Sequence, residues 1–190
     1  MWTVALDQTA GGRGLDISVN VSAVQVARPG FADEVAKILK STGLDASRLV
    51  LELTESVLMD RGGAAVASLG KLRALGIRLA IDDFGTGYSS LSYLRELPID
   101  ILKIDISFVA ALDTGREAPA VVRSIIRLAG TLGLHTIAEG IERPEQAGRL
   151  RTLGAEYAQG FHFAPPLTTE ELATYLRGFS VSAPGKAASA

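Results

Sequence analysis

Two adjacent carboxylates, Asp82 and Asp83, follow an apolar run and precede the segment Gly85-Thr86-Gly87. Neighbouring side chains of an extended strand point to opposite faces, so both can serve one site only if the strand ends between them and the backbone turns there. Gly85 and Gly87 are predicted to supply this turn, because glycine accepts the backbone angles of a tight bend. Two carboxylates side by side repel each other, and a divalent cation would relieve that repulsion. An Asp-rich turn without a ligand is the alternative.

Polar side chains also occur near the ends of five other predicted strands. Strands and helices alternate along the chain, which predicts a parallel sheet covered by helices. A closed barrel brings the carboxyl ends of its strands to one pocket, whereas an open doubly wound sheet gathers ligand groups at a single crevice. We therefore predict an α/β fold of the (β/α)8 TIM-type barrel class. The polar residues at the six strand ends are Asn20, Glu52, Glu55, Asp82, Asp83, Lys103, Asp105, Glu139, Glu142 and Gln159.

The periodicity of apolar residues predicts the elements that position these side chains. Strands are predicted at residues 15–22, 48–55, 78–81, 101–105, 136–140 and 157–163. Helices are predicted at residues 31–42, 64–75, 89–94, 120–132, 144–153 and 168–176, and residues 1–9 are interpreted as the tail of a helix. Ile38 and Leu75 are predicted to face the core. Thr168 and Glu171 form a predicted capping box before the last helix.

The composition is that of an ordinary globular domain. The chain has 190 residues, with 47% apolar and 21% charged residues and a formal charge of −2, so no basic surface indicates polymeric nucleic acid or anionic lipid. It has no cysteine, which excludes disulfides and thiolate metal sites. No apolar run approaches the roughly 20 residues that span a bilayer, and no signal-peptide pattern is present. We expect a cytoplasmic protein without a membrane segment.

The ligand types favour a hard divalent cation. Carboxylates and an amide suit magnesium, manganese or calcium. Zinc is less favoured because His135 and His162 are the only histidines, and His162, between two phenylalanines, is interpreted as structural. The carboxylates could hold two ions with Asp82 as the bridge, an arrangement typical of phosphodiester cleavage.

Lys103 allows two interpretations. It shares a strand face with Asp105, so its ammonium group can reach the same pocket. There it could orient a water and stabilise charge on a transferring phosphoryl group. It could equally neutralise surplus carboxylates without a catalytic role. The spacing of the residues leaves both open.

Six motifs in order along residues 1–178 resemble the EAL domain of bacterial cyclic di-GMP phosphodiesterases. Six matches at consistent spacing make the resemblance highly specific. The motifs are VNVS at 19–22, LELTES at 51–56, IDDFGTGYSSL at 81–91, LPID and LKID within 97–105, AEGIE at 138–142, and AQGF at 158–161.

The resemblance implies a modified (β/α)8 barrel that hydrolyses cyclic di-GMP to linear pGpG with Mg²⁺ or Mn²⁺ at a two-metal site. The implied ligands of the first metal are Asn20, Glu52 and Asp82. The implied surroundings of the second metal are Asp82, Asp83 and Glu139. The implied catalytic residues are Lys103, which positions the attacking water, Glu139 and Asp83. Glu55 is implied to hold the loop after the aspartates, and the substrate-binding candidates are Gln159, Thr86, Gly87, Asp105 and Glu142.

The chain departs from the family pattern in one respect. It contains no Glu-Ala-Leu segment, whose glutamate is a metal ligand in the family. Met1 corresponds to the middle of the family's second helix, so we expect six of eight βα units, with open strand edges and impaired activity. Residues 1–178 are predicted to form this truncated barrel domain, and residues 179–190 a disordered tail.

Two alternatives to an enzyme follow from the same departure. One is a catalytically inactive module that binds cyclic di-GMP or a protein. The other is a fragment that is not stable alone. The resemblance also allows a homodimer and a fused or upstream sensory or GGDEF domain as partners.

Overall fold

In a computed structural model of the chain, residues 2–6, 15–55, 63–87, 91–113 and 117–178 are described. Strands and helices alternate through this part of the chain. The strands are β1 (Trp2–Leu6), β2 (Leu15–Val21), β3 (Leu49–Thr54), β4 (Arg78–Phe84), β5 (Ile101–Ile104), β6 (His135–Ala138) and β7 (Tyr157–Ala158). The helices are α1 (Ala23–Ala27), α2 (Phe31–Thr42), α3 (Gly63–Ala74), α4 (Leu91–Glu96), α5 (Ile106–Ala111), α6 (Ala118–Leu132), α7 (Pro144–Leu153) and α8 (Thr169–Gly178).

The strands form one sheet in which each strand pairs with the next along the chain, from β1 to β7. β2 to β7 are all parallel. A doubly wound sheet would reverse its strand order at a switch point, and this order never reverses. The six parallel strands form a curled half-barrel, which confirms the predicted barrel class.

The N-terminal segment differs from its prediction. Residues 2–6 form a strand, β1, that pairs antiparallel with β2, with Trp2 opposite Val19 and Leu6 opposite Leu15. The predicted helix tail is therefore wrong. Three apolar residues within so short a segment do not distinguish the two structures, and an isolated helical turn is unstable. The edge of β2 offers backbone hydrogen-bond partners to an extended segment. Residues 7–9 lie outside the described residues.

Most helices agree with their predictions. α2 and α7 have the predicted bounds. The capping box before α8 is confirmed, because the Thr168 N–H donates to Glu171 Oε2 (2.7 Å) and the Glu171 N–H donates to Thr168 Oγ1 (3.3 Å). Ile38 and Leu75 are exposed, contrary to prediction, because Ile38 lies at the margin of the buried face of α2 and Leu75 lies one residue beyond the end of α3. α1 and α5, both short, were not predicted.

Two other boundaries differ. α4 begins at Leu91, and residues 89–90 of the predicted helix lie outside the described residues, as do residues 179–190 of the predicted tail. β7 has only two residues, and residues 160–163 form a turn instead of a strand. Gly160 packs so closely on the backbone of Ile141 that an added Cβ would lie 2.2 Å from its carbonyl oxygen. His162 is exposed in this turn, with its ring against Phe163.

The two faces of the sheet carry different cores. The outer face packs against the helices, with Leu53, Leu79 and Leu102 fully buried there. The opposite face carries a small cluster, called here the inner-face cluster. Its members are Val50, Ala80, Ile101 and Ile137. Among the described helices, none has the length and apolar content needed to cross a bilayer.

Candidate functional site

A charged layer lies directly beyond the inner-face cluster, towards the carboxyl ends of the strands. Each of its members is two residues after a member of that cluster, and side chains two apart on a strand share a face. A parallel sheet brings these positions together at one end. The layer consists of Glu52, Asp82, Lys103 and Glu139.

Lys103 is the centre of this layer. Its Nζ lies 2.7 Å from Glu52 Oε2, 2.7 Å from Glu139 Oε1 and 3.0 Å from Asp82 Oδ1. The lysine side chain is 3% exposed and that of Glu52 is 2% exposed. An ammonium group has three N–H donors, so each carboxylate can receive one. One positive charge thus serves three carboxylates.

The charges of this layer shift one another's protonation. Burial alone would lower the pKa of Lys103, but the carboxylates of Glu139 and Glu52 raise it above its ordinary value. Burial raises the pKa of Glu139 to about 7, with a contribution from Asp82, although Lys103 opposes the shift. Partial burial and the carboxylates of Asp82 and Asp105 raise the pKa of Asp83. Lys103 therefore stays charged, while the carboxyl groups of Glu139 and Asp83 have pKa values above their ordinary ones.

Asp83 reaches the site by an unusual backbone conformation. Its φ is +55°, and the pairing of β4 with β5 is irregular between Ile81 and Phe84. This bulge interrupts the alternation that would otherwise point Asp83 away from Asp82. The prediction that the strand ends between the two aspartates is wrong, because β4 continues to Phe84. The change of direction that they need lies at Asp83 itself and not, as predicted, at Gly85 and Gly87. Aspartate is among the few residues that tolerate a left-handed conformation.

Asp82, Asp83 and Glu139 could hold a divalent cation. Each offers one carboxylate oxygen, and these oxygens all lie within 4.8 Å of one another. Asp83 is exposed and the other two are partly so, which leaves the oxygens accessible. Hard oxygen donors at this spacing fit Mg²⁺, Mn²⁺ or Ca²⁺. Within the described ranges no second group of carboxylates or histidines has this spacing, and Glu52 is not a member of it.

The loop after β4 is tied to the end of β3. The buried Glu55 accepts hydrogen bonds through Oε2 from the N–H groups of Gly85 (3.3 Å) and Gly87 (3.2 Å). An added Cβ at Gly87 would lie 2.9 Å from Glu55 Oε1, so a larger residue there would displace the carboxylate. Thr86 Oγ1 donates to the Asp83 carbonyl at 2.9 Å. The carboxylate of Glu55 thus holds the loop beside the charged layer.

The other candidate residues differ in whether their side chains interact with the carboxylates of the site. Asp105 caps α5 by accepting from the Ser107 N–H (2.9 Å), and its charge acts on Asp83. Asn20 is exposed and opposite Glu52 in the register of β2 and β3. Gln159 joins the sheet through its backbone, and Glu142 is exposed. Within the described part of the chain, the side chains of these last three form no hydrogen bond to the charged layer. The list of residues that the fold brings together is Glu52, Asp82, Asp83, Lys103, Asp105 and Glu139.

Comparison with known proteins places this arrangement in a family. The family model of the EAL domain matches residues 3–166, which include every residue of the charged layer. This chain belongs to the EAL domain family. As the resemblance implied, the strand ends that carry its motifs converge at one end of the sheet.

Curated relatives of this EAL domain have names that state an activity. The cyclic di-GMP phosphodiesterase NbdA of Pseudomonas aeruginosa is 41% identical over 174 residues, which cover 92% of this chain and 22% of NbdA. MucR of the same organism, a bifunctional diguanylate cyclase/cyclic di-GMP phosphodiesterase, is 43% identical over 157 residues, 83% of this chain and 23% of MucR. The chain spans about a fifth to a half of the length of the curated relatives it matches.

Solved structures of EAL domains share the fold. The MucR phosphodiesterase in complex with cyclic di-GMP has a TM-score of 0.78 and 43% identity, covering 83% of this chain and 64% of that one. BlrP1 of Klebsiella pneumoniae in a manganese and cyclic di-GMP complex has a TM-score of 0.70 and 31% identity, covering 76% of this chain and 37% of that one. A calcium complex of BlrP1 is equally similar. The two BlrP1 complexes contain both a divalent metal and the nucleotide.

Sequence reasoning missed two features beside the site of this EAL domain. Ile106 lies directly on Gly140, where an added Cβ would be 2.0 Å from Ile106 Cγ1. The signal was a glycine immediately after the site carboxylate Glu139. The second feature is the buried Gln146, whose signal was its position in the first turn of the predicted helix at 144–153, where glutamine commonly caps.

Proposed function

We propose that this EAL domain binds cyclic di-GMP and hydrolyses it to linear pGpG with Mg²⁺ or Mn²⁺. The observation that carries the proposal is the group of three carboxylates, Asp82, Asp83 and Glu139, beside a buried lysine. The names of NbdA and MucR support the reaction, and the BlrP1 complex supports manganese.

Different residues of the chain would have different roles in this reaction. Asp82, Asp83 and Glu139 would hold the cation, which when bound would activate a water and neutralise phosphate charge. Lys103 stays protonated, so it acts as a charge and a hydrogen-bond donor and not as a base. Its three donors already meet three carboxylates, so it can orient a water only if one carboxylate is released. Glu55 keeps the loop at 85–87 next to this pocket.

The rate of hydrolysis is proposed to be low. The resemblance assigns Asn20, Glu52 and Asp82 to a first metal, together with the glutamate of a Glu-Ala-Leu segment. The sequence of 190 residues contains no such segment. Glu52 is also bound by Lys103, which reduces its charge as a ligand. We propose that the first metal site is weak and that turnover is slower than that of the relatives.

Incubation of the chain with cyclic di-GMP and Mn²⁺, followed by chromatography, tests the proposal. We expect pGpG to accumulate, to require the metal and to be abolished by Asp82→Asn. Ser41→Ala is the control, because Ser41 is exposed and donates to the Ile38 carbonyl within α2. Absence of pGpG at every Mn²⁺ concentration would refute hydrolysis.

A second function is binding of cyclic di-GMP without turnover. It is favoured by Lys103, whose contacts with Glu52, Asp82 and Glu139 already neutralise part of the carboxylate charge. Calorimetry distinguishes the two, since binding without pGpG supports this second function and absence of binding excludes both. A cooperative thermal melt of the same sample would exclude an unstable fragment as the reason for a negative result.

A further inference from the structure

Gln146 is a buried polar side chain that belongs to α7 and lies outside the charged layer. It is 4% exposed. Its Oε1 accepts hydrogen bonds from the N–H groups of Glu142 (3.0 Å) and Arg143 (3.1 Å), and its Nε2 donates to Asp113 Oδ2 (2.8 Å). Because two backbone N–H groups face one end of the amide, its oxygen must lie there and its NH2 group must face Asp113.

These bonds join two segments that each carry site residues. Glu142 and Arg143 follow Glu139 after β6, and Asp113 follows α5, which Asp105 caps. The Glu139 N–H donates to the Ile104 carbonyl at 3.1 Å, which fixes the start of the segment at 139–143 to β5. Gln146 fixes its end.

A second contact joins the same two segments. Ile106, the first residue of α5, lies on Gly140, whose φ is +70°. α5 therefore contacts the segment at 139–143 at its first turn through Ile106 and beyond its last turn through Asp113. Glu139 directly precedes Gly140, so a displacement of the segment that these two contacts hold would also displace its carboxylate.

We propose that Gln146, held by Asp113, is a positioning residue that keeps the segment at 139–143 in place so that Glu139 faces Asp82 and Asp83. The importance of Glu139 for metal binding rests on the function proposed above. Gln146 makes hydrogen bonds to two backbone N–H groups and to one carboxylate, and each such hydrogen bond contributes modestly to the stability of the fold. Small displacements of a ligand have a larger effect on a metal site than on the fold.

Two substitutions separate positioning from bulk stability. Gln146→Glu keeps the acceptor for the two N–H groups but replaces the donor to Asp113 with a carboxylate oxygen, which Asp113 repels. Adding Asp113→Asn returns a donor to the pair, now from position 113. Arg143→Gln is the control, because the Arg143 side chain is 54% exposed and pairs with Asp113 Oδ2, the oxygen that Gln146 also contacts, so this variant removes the ion pair and leaves Gln146 in place.

Hydrogen exchange of the metal-free chain and calorimetry with Mn²⁺ alone measure the effect. In Gln146→Glu we expect the amides of Glu142 and Arg143 to exchange about tenfold faster, the amides of β3 to remain unchanged, and Mn²⁺ affinity to fall about tenfold, as for other residues that orient metal ligands. The double variant should recover both values to within about threefold, a coupling that a double-mutant cycle quantifies. Arg143→Gln should change neither.

Three outcomes would overturn the inference. Gln146→Glu could leave both measurements as in the wild type, the double variant could fail to recover them, or Arg143→Gln could reproduce them. If Gln146→Glu does not fold, Asp113→Asn alone carries the test, because it weakens the acceptor without introducing a charge. If the wild-type chain binds no Mn²⁺, the proposed function fails, while the exchange of the two amides still decides whether Gln146 positions the segment.

Discussion

The two ends of the inner face of the sheet carry opposite arrangements of charge, separated by the apolar inner-face cluster. At the amino end, the buried Asp16 lies between Arg48 (3.3 Å) and Arg78 (2.6 Å), which come two residues before members of that cluster. At the carboxyl end, three carboxylates surround the single ammonium group of Lys103. One end has two cations for one anion, and the other has three anions for one cation.

The difference lies in what completes each arrangement. The arginines at the amino end are 29% and 35% exposed, so water hydrates their surplus charge and the ion pairs need no ligand. The surplus at the carboxyl end is negative and more deeply buried, where hydration is poor and like charges repel. The ion pairs at the amino end therefore have a structural role only. The carboxyl end favours the binding of a cation.

Removal of Lys103 is expected to have the largest effect. Lys103→Met leaves the carboxylate of Glu52 buried without a counter-charge, and we expect the free energy of unfolding in urea to fall by about 3–5 kcal/mol. Arg73→Met is the control, because Arg73 pairs with Asp100 at 3.1 Å on an exposed surface and should contribute less than about 1 kcal/mol. Equal losses in the two variants would contradict the contrast between buried and hydrated charge.

Glu139 is expected to make stability depend on pH at the carboxyl end. Burial and Asp82 raise the pKa of Glu139 to about 7 in the folded chain, from an ordinary 4.5. The stability that a raised pKa contributes is complete below the unfolded pKa and is lost as pH rises through the folded one. Without metal, the free energy of unfolding should therefore fall between about pH 4.5 and pH 7, by at most about 1.4 kcal/mol per pH unit.

The comparison of wild type with Glu139→Gln isolates this effect. The variant lacks the titrating group, so its stability should rise relative to wild type across the same pH range and the difference should be constant above it. Urea unfolding in chelator at several pH values measures both curves. A wild type that gains stability relative to the variant as pH rises would show that the Lys103 pairing outweighs burial.

The two glycines that flank β6 allow the backbone at the two ends of the sheet to be compared. Gly133 and Gly140 have φ of +71° and +70°, but an added Cβ at Gly133 meets nothing within 4 Å, whereas at Gly140 it would overlap Ile106. We expect Gly133→Ala to cost about 1 kcal/mol for its conformation, and Gly140→Ala about 1–3 kcal/mol more for overpacking. Thermal or urea unfolding measures the difference. Ile106→Gly, which also removes the Ile106 Cβ that lies 2.7 Å from the added atom, should remove the additional cost, and failure to do so would place the strain elsewhere.

Asp16→Asn is expected to have the smallest effect. Loss of the charged acceptor for Arg48 and Arg78 should lower the free energy of unfolding by about 1–2 kcal/mol. The affinity for Mn²⁺, measured by calorimetry, should stay within about twofold of the wild type, because the inner-face cluster separates the two ends. A marked loss of affinity would show that the two ends are coupled.

Elements with local signals could be predicted from the sequence. α2 is capped by Gly43 in a left-handed conformation and α7 begins with Pro144, and both signals act within one turn of the backbone. The alternation of helices and strands predicted the parallel order of β2 to β7, because short crossovers leave few other topologies. Trp2–Leu6 had no such signal, since its strand conformation depends on pairing with β2.

The sequence by itself determined that charged side chains gather at the carboxyl end of the sheet. Side chains alternate along a strand, and parallel strands end at the same edge, so Glu52, Asp82, Lys103 and Glu139 could be assigned to one pocket. Only the tertiary structure decided that Lys103 lies within 3.0 Å of all three carboxylates and that Asp83 turns towards them. The separation of side chains on different strands depends on the register and curvature of the sheet. The φ of Asp83 depends on the irregular pairing of β4 with β5. The spacing of residues along the chain determines neither the sheet geometry nor this irregular pairing.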